Sequence, residues 1–260
     1  MGDEIIHFMS AAYAGDNIRI QVLLGTTDVI ATDNQGLTAL FYAVLGDRRE
    51  VISTLLEHGG QDLAMVTAAN DVTCLYLAAQ NGNLHSVIQL AEVGGVELLH
   101  KTTTDGSSCL YIASQQGHLD VVQELITRSH DLLQMTARNN FSCLHVACQH
   151  GHLDVAEALV KAGGTTLLHL PARTGRTCLH VACEYGHKDI AEMLIRAGGD
   201  ALLQPKIDDG SSALLCACRE GHEAVARAVL QAGGEGLLGA PGADRCMAKA
   251  CGCGGHTGVV

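Results

Sequence analysis

Apolar residues recur along the chain in a two-segment pattern. In the stretch SCLHVACQHGHLDVAEALVKAGG, which starts at Ser142, apolar positions at helical spacing occupy residues 143–148 and again residues 153–160. Ser is a residue type that caps a helix at its N-terminus. Gly151 follows nine residues later, and Gly is the type that ends a helix in the left-handed conformation. The pattern therefore predicts a helix, a turn, a second helix that ends at another Gly such as Gly163 or Gly198, and a connecting segment.

This stretch is one of six similar copies. Successive copies start 35, 35, 34, 35 and 35 residues apart, which excludes coincidence and identifies an internal repeat. A single helix pair cannot bury its apolar face alone, so neighbouring copies are expected to stack. The copies start at Thr38, Thr73, Ser108, Ser142, Thr177 and Ser212.

The repeat resembles the ankyrin repeat family. The family motif T-P-L-H-x-A corresponds to SCLHVA at residues 142–147 and to TCLHVA at residues 177–182, and a Gly-His pair follows in four copies. The resemblance covers about the whole chain. It implies an all-α solenoid of stacked helix-turn-helix repeats, with β-hairpin fingers roughly perpendicular to the helices.

Two departures from the family pattern bear on the fold. The Pro of the motif is replaced by Cys or Ala in every copy, and the step is near 35 residues rather than 33. The extra length falls between the second helix and the finger, where a short helical turn can form. A pair of leucines recurs there and is predicted to face inward, at Leu98-Leu99, Leu132-Leu133, Leu167-Leu168, Leu202-Leu203 and Leu237-Leu238.

The repeats predict a single ankyrin-repeat domain over residues 1–260. Residues 1–31 match the pattern irregularly and are predicted to form an N-terminal capping repeat. Residues 33–239 hold the six repeats of about 35 residues. Residues 240–260 begin a partial or degenerate seventh copy, with Cys246 and Cys251 in register.

Composition excludes several classes of function. The formal net charge is −12, which argues against nucleic-acid binding because phosphate contacts need Lys and Arg. The apolar runs are shorter than the ~20 residues of a membrane span, and the start lacks the features of a signal peptide. The eleven Cys are an odd number and favour free thiols in a reducing compartment, either the cytoplasm or the nucleus.

Cys and His are concentrated enough that a metal-binding or redox protein must be considered as an alternative. Cys143, His145, Cys148 and His152 are all residue types that bind zinc. Cys, however, occupies two fixed positions of the repeat, which is typical of small buried hydrophobic residues. The resemblance further implies that the periodic His bond backbone groups. We therefore predict no catalytic residues, no metal and no cofactor, and keep a Cys/His metal or redox protein as an alternative.

Function is expected at the positions that the repeat leaves free to vary. The resemblance implies that these positions form a concave surface made of the finger tips and the first helices. In repeat proteins such a surface binds other molecules. Arg and Tyr are enriched in the energetic centres of interfaces. The predicted partner-binding residues are Arg138, Phe141, His150, Arg173, Arg176 and Tyr185.

These residues predict a monomeric module or scaffold that binds a protein or peptide and is not an enzyme. An acidic or phosphorylated segment of the partner would suit the three Arg. Solvated charge on the fingers, with no partner, is the competing interpretation. A further alternative is the substrate-recognition or regulatory part of a larger protein, such as a ubiquitin-ligase adaptor.

Overall fold

A computed structural model describes residues 2–233, with side chains from Glu4 onward. Within that range the chain forms fourteen α-helices and no β-strand, which confirms the all-α solenoid fold. The helices are α1 (Gly2–Ala14), α2 (Asn17–Leu23), α3 (Ala39–Leu45), α4 (Arg49–Ala64), α5 (Cys74–Asn81), α6 (Leu84–Leu99), α7 (Cys109–Gln116), α8 (Leu119–Arg128), α9 (Cys143–His150), α10 (Leu153–Leu168), α11 (Cys178–Tyr185), α12 (Lys188–Gly198), α13 (Ala213–Glu220) and α14 (Glu223–Gly233).

From the second copy onward, the first helix of each repeat begins after its Ser or Thr and ends before its Gly, as the sequence predicts. A Ser or Thr hydroxyl accepts a hydrogen bond from a first-turn N–H group at the start of α5, α7, α9 and α13. At Thr38, before α3, this bond is absent and the buried hydroxyl has no partner among the described residues. A Gly at φ between +72° and +81° follows α5, α7, α9, α11 and α13, a backbone conformation that glycine adopts without strain.

The second helices carry the extra residues of the repeat. In α4, α6 and α10 the backbone leaves the helical conformation at Gly60, Gly95 or Gly164 and then resumes a helical turn. The prediction that the second helix ends at Gly163 is therefore wrong for α10, which continues to Leu168. In contrast, α12 ends at Gly198 as expected, and a 3-10 turn follows. The third copy lacks the Gly pair, and Ser129 instead takes an extended conformation between α8 and a 3-10 turn.

The leucines of the extra turns face inward. Both members of the pairs at 98–99, 132–133, 167–168 and 202–203 are at most 3% exposed, which confirms the prediction. Burying one such side chain stabilises the fold by about 1.5–3 kcal/mol, so the longer repeat adds core. The fifth pair, Leu237-Leu238, lies outside the described residues, as does the predicted copy at 240–260.

The fingers contain minimal β-structure. Isolated antiparallel bridges join Thr32 to Thr38, Thr67 to Thr73, Thr102 to Ser108 and Lys206 to Ser212. Each bridge closes a turn just before the first helix of a repeat, so the finger and the helix cap are held together by neighbouring bonds.

The chain divides into two compact units, of which the first covers Met1–Arg138 and the second begins at Asn139. In the first unit α1 packs against α2 and α3, so the irregular first repeat joins the stack. In the second unit α11 packs against α9 and α13. The arrangement of residues 1–260 as one domain with six repeats stays a prediction.

Small and aliphatic side chains fill both interiors. The eight Cys within the described range are all free and buried, as the sequence predicts, whereas Cys246, Cys251 and Cys253 lie outside it. No helix within residues 2–233 is long and apolar enough to cross a membrane.

Candidate partner-binding surface

The start of α9 is organised by a reciprocal pair of hydrogen bonds. The Ser142 hydroxyl accepts from the backbone N–H of His145, and the His145 ring Nδ1 accepts from the backbone N–H of Ser142 at 3.3 Å. The same ring nitrogen lies 2.8 Å from the Ser142 hydroxyl. The ring of His145 is completely buried and its other nitrogen, Nε2, donates to the carbonyl oxygen of Arg176 at 3.1 Å. The buried repeat histidine therefore holds the finger that presents Arg176.

The two Arg of this finger differ in their surroundings. Arg176 is half-buried and its guanidinium forms an ion pair with Glu184, eight residues later on α11. Arg173 is exposed, and its backbone N–H donates to the carbonyl oxygen of Asn139 at 2.7 Å. Among the Arg of the finger, Arg173 thus offers the more accessible positive charge, while Arg176 shares its charge with a carboxylate.

The two aromatic residues are both anchored from α9. The half-buried ring of Phe141 lies 5.0 Å from the ring of His145, measured between centroids. Tyr185 is 46% exposed, and its hydroxyl accepts from Gln149 Nε2 at 2.9 Å. Contacts therefore connect Phe141 to Arg176 through His145, and connect Tyr185 to α9 through Gln149.

His150 is exposed at the end of α9. Its Nδ1 bonds the carbonyl oxygen of Val146 at 3.0 Å within the same helix. Its ring lies parallel to that of His152, with centroids 6.3 Å apart.

Arg138 belongs to the first unit and the other five predicted residues to the second. Arg138 is exposed and its backbone N–H donates to the carbonyl oxygen of Asp105 at 3.0 Å. Phe141, His150, Arg173, Arg176 and Tyr185 are hereafter called the second-unit surface. Sequence reasoning missed the pairing of Arg176 with Glu184, because residues eight apart across a finger and a helix match no recognised ion-pair spacing.

The repeated Cys of the described range and the motif histidines His145 and His180 are buried in the interior. Burial lowers the pKa of His145 and of His180 to about 4, so both rings are neutral near pH 7. Burial raises the pKa of the Cys143 thiol to about 12 and that of Cys148 well above its ordinary value. Both nitrogens of His145 already bond within the fold, and residues 2–233 contain no group of three or more His, Cys, Asp or Glu placed to hold a metal ion.

Contacts between repeats complete the pattern. The rings of His118, His187 and His222 donate from Nε2 to carbonyl oxygens of the preceding repeat, at 2.9–3.0 Å. For His118, His187 and His222 these bonds confirm the prediction that the periodic His bond backbone groups. The family model described as Ankyrin repeats (3 copies) matches residues 8–101, 75–167 and 165–237. The chain belongs to the ankyrin repeat family.

Solved ankyrin repeat domains have the same fold. The ankyrin repeat domain of Bcl-3, described as a unique member of the IkappaB protein family, is 20% identical with a TM-score of 0.73, covering 86% of this chain and 97% of that one. The human ASB11 ankyrin repeat domain is 22% identical with a TM-score of 0.73, covering 87% and 97%. The search of curated proteins finds no match. Ankyrin repeat domains are generally protein-interaction modules, and this is the class of function that the family supports.

Proposed function

We propose that this ankyrin repeat protein binds a protein or peptide partner through the second-unit surface. Arg138, in the first unit, is proposed by itself as a partner-binding residue of that unit. The observation that carries the proposal is the exposed Arg173 beside the Arg176–Glu184 pair, on a finger held by His145. The Cys positions that recur between the described repeats are buried, whereas the residues of the second-unit surface vary between repeats and are exposed or half-buried. A surface that serves only stacking has no need of such variation.

The chemistry of the surface favours an acidic or phosphorylated segment. Arg forms paired hydrogen bonds with carboxylate and phosphate oxygens. The Arg176–Glu184 ion pair is partly exposed, and pairs of this kind contribute about 0–1 kcal/mol, so an arriving anion can displace the Glu184 carboxylate at small cost. Phe141 and Tyr185 supply apolar area on the same unit, and Tyr is among the residues enriched where interfaces bind most strongly.

The proposal includes a cellular compartment and an oligomeric state for the protein. We infer a reducing compartment, the cytoplasm or the nucleus, because the buried thiols within the described range are free. That the protein is a monomer is a further part of the proposal. Binding without catalysis requires only that the helix pairs hold the surface rigid, which their burial and interhelical bonds support.

The test is quantitative affinity purification with charge-reversed variants. Wild-type protein is compared with Arg173→Glu plus Arg176→Glu, and recovered proteins are quantified by mass spectrometry. A matched control, Lys161→Glu plus Arg196→Glu, makes the same change in charge on exposed positions of α10 and α12. We expect the first variant to lose specific partners and the control to retain them.

Two results would overturn the proposal. Retention of every partner by the first variant would show that the second-unit surface does not bind them. Equal loss with both variants would show that net charge alone, rather than the position of the two Arg, governs binding. Circular dichroism of each variant confirms that the helices are intact.

A further inference from the structure

A second candidate site lies at the other unit, in a pocket of about 380 Å³ between α1, α3 and the loop before α3. Its apolar lining includes Ile6, Met9 and Tyr13 of α1, and Tyr42 and Leu45 of α3. Ile6, Met9 and Tyr13 are three and four residues apart, so they share one face of α1. Ile6 and Tyr13 lie away from Phe8 and Ala12, which are buried in the core, and Met9, itself 5% exposed, lies between the two groups.

The pocket gathers exposed apolar side chains. Ile6 is 62% exposed, Tyr13 54% and Leu45 44%, and all three border the same cavity. Single exposed hydrophobic residues are ordinary on protein surfaces, whereas a contiguous group around a concavity is typical of a binding site.

Leu45 departs from the repeat in a way that stacking does not explain. It stands seven residues after the cap of its repeat, and the corresponding residue is polar in every later copy. These residues are Gln80, Gln115, Gln149, Glu184 and Arg219. Because five repeats form the same helix pair with a polar side chain there, the helix pair itself does not require an apolar residue at Leu45.

One carboxylate lines the pocket and gives it a negative charge. Among the lining residues Asp33 is the sole charged one, and its carboxylate accepts from the Tyr42 hydroxyl at 2.7 Å. It also accepts from the backbone N–H groups of Gln35 and Leu37 at 2.8 and 2.9 Å. Burial opposes ionisation of Asp33, but these bonds outweigh it and lower the pKa, so the pocket carries a negative charge near pH 7.

We propose that this pocket binds an extended segment of a partner protein in which an apolar side chain is followed by Lys or Arg. The apolar side chain fills the cavity against Ile6, Tyr13 and Leu45, and the cation lies against the Asp33 carboxylate. Charge complementarity selects this occupant, since Asp33 faces no basic residue among those that line the pocket. The proposal concerns the first unit alone and goes beyond the acidic partner proposed for the second-unit surface.

Short peptides test the proposal without a known partner. Acetylated and amidated pentapeptides with a central leucine followed by lysine, glutamate or glutamine are titrated into the whole protein, and methyl resonances of Ile6 and Leu45 are followed by NMR. The leucine-lysine peptide is expected to bind about fivefold more tightly than the leucine-glutamate peptide, with a preference that weakens as salt is added.

Two conservative variants separate the contributions. Asp33→Asn keeps an oxygen that can accept the loop N–H groups, and we expect it to remove the preference for lysine over glutamate. Leu45→Gln installs the side chain that three other repeats carry, so folding is retained, and we expect the leucine-lysine peptide to bind about tenfold more weakly.

The proposal fails if the three peptides perturb the Ile6 and Leu45 methyls equally, or if none does at millimolar concentration. It also fails if wild-type protein dimerises in sedimentation experiments and Leu45→Gln abolishes the dimer, because a second copy would then occupy the pocket. Neither result bears on Arg173 and Arg176, so failure here is distinguishable from failure of the function proposed above.

Discussion

The buried ring of His145 donates a hydrogen bond to the carbonyl oxygen of Arg176, 3.1 Å away. This bond joins the two kinds of position in the chain. His145 belongs to the repeated motif and is buried, whereas Arg176 belongs to a finger that varies between repeats. The conspicuous histidine therefore acts on the surface indirectly, by fixing the backbone that carries the arginine.

The first prediction concerns the pH dependence of stability. Burial lowers the pKa of His145 and His180 from about 6.5 in the unfolded chain to about 4. The unfolded chain thus binds more protons between these values, and the free energy of unfolding falls as pH decreases from about 6.5 to about 4. Each His contributes up to about 3 kcal/mol to this loss.

Urea denaturation at a series of pH values measures the effect. The control is His145→Tyr plus His180→Tyr, because the corresponding residue is Tyr76 or Tyr111 in other repeats. The double variant is expected to lose less stability than the wild type between pH 6.5 and 4. Identical slopes for the two proteins would contradict the assignment of neutral, buried rings.

The second prediction concerns Gly151, where both the backbone conformation and a neighbouring side chain disfavour any larger residue. Its φ is +80°, and a Cβ there would lie 2.6 Å from Cε1 of His187. Gly36 has φ +78° but no described atom within 4 Å of such a Cβ. Gly36→Ala is expected to cost about 1 kcal/mol through backbone strain, and Gly151→Ala about 1–3 kcal/mol more through the clash. Equal losses in guanidinium denaturation would mean that the His187 contact is unimportant.

The third prediction concerns the leucines in the extra turn of the repeat. Leu167 is fully buried in the second unit, and Leu167→Ala is expected to destabilise the protein by about 2–5 kcal/mol. Thr166→Ala, at an exposed neighbouring position, should change stability by less than about 0.5 kcal/mol. A loss below about 1 kcal/mol for Leu167→Ala would show that the extra turn adds little to the core.

The fourth prediction follows from the pairing of Arg176 with Glu184. Glu184→Gln removes the carboxylate that shares the charge of Arg176, so an acidic or phosphorylated partner should bind up to about fivefold more tightly. Isothermal titration calorimetry with a partner recovered by the wild-type protein measures the change. Glu157→Gln, an exposed carboxylate on α10, is the control for net charge. Weaker binding after Glu184→Gln would indicate that Glu184 itself contacts the partner.

Much of the fold follows from the sequence because burial imposes regular spacing. The left-handed Gly after α5, α7, α9, α11 and α13 and the inward leucines at residues 98–203 lie at repeated positions, and the structure confirms them. The first copy departs, because Thr38 makes no cap bond and α3 is followed by Gly46 at φ −84°. The ion pair of Arg176 and Glu184 does not follow, because long, partly exposed side chains can adopt several rotamers that differ little in free energy. The pocket beside Leu45 does not follow either, because its lining comes from both α1 and α3.

The continuation of α10 beyond Gly163 shows a limit of local sequence rules. Gly favours the end of a helix, and the backbone does break, at Gly164 with φ +56°. The helical turn then resumes because Leu167 and Leu168 are buried by it. Burial of two leucines outweighs the local preference for termination.

The central claim is that the irregular positions of the second unit bind the partner while the repeated Cys and His build the interior. Hydroxyl-radical footprinting of the protein with and without a partner recovered by affinity purification tests this most directly. We predict that Tyr185 and Phe141 lose reactivity when the partner binds, while side chains on α10 and α12 keep theirs. Unchanged reactivity at Tyr185 and Phe141, with protection confined to α10 and α12, would contradict the claim.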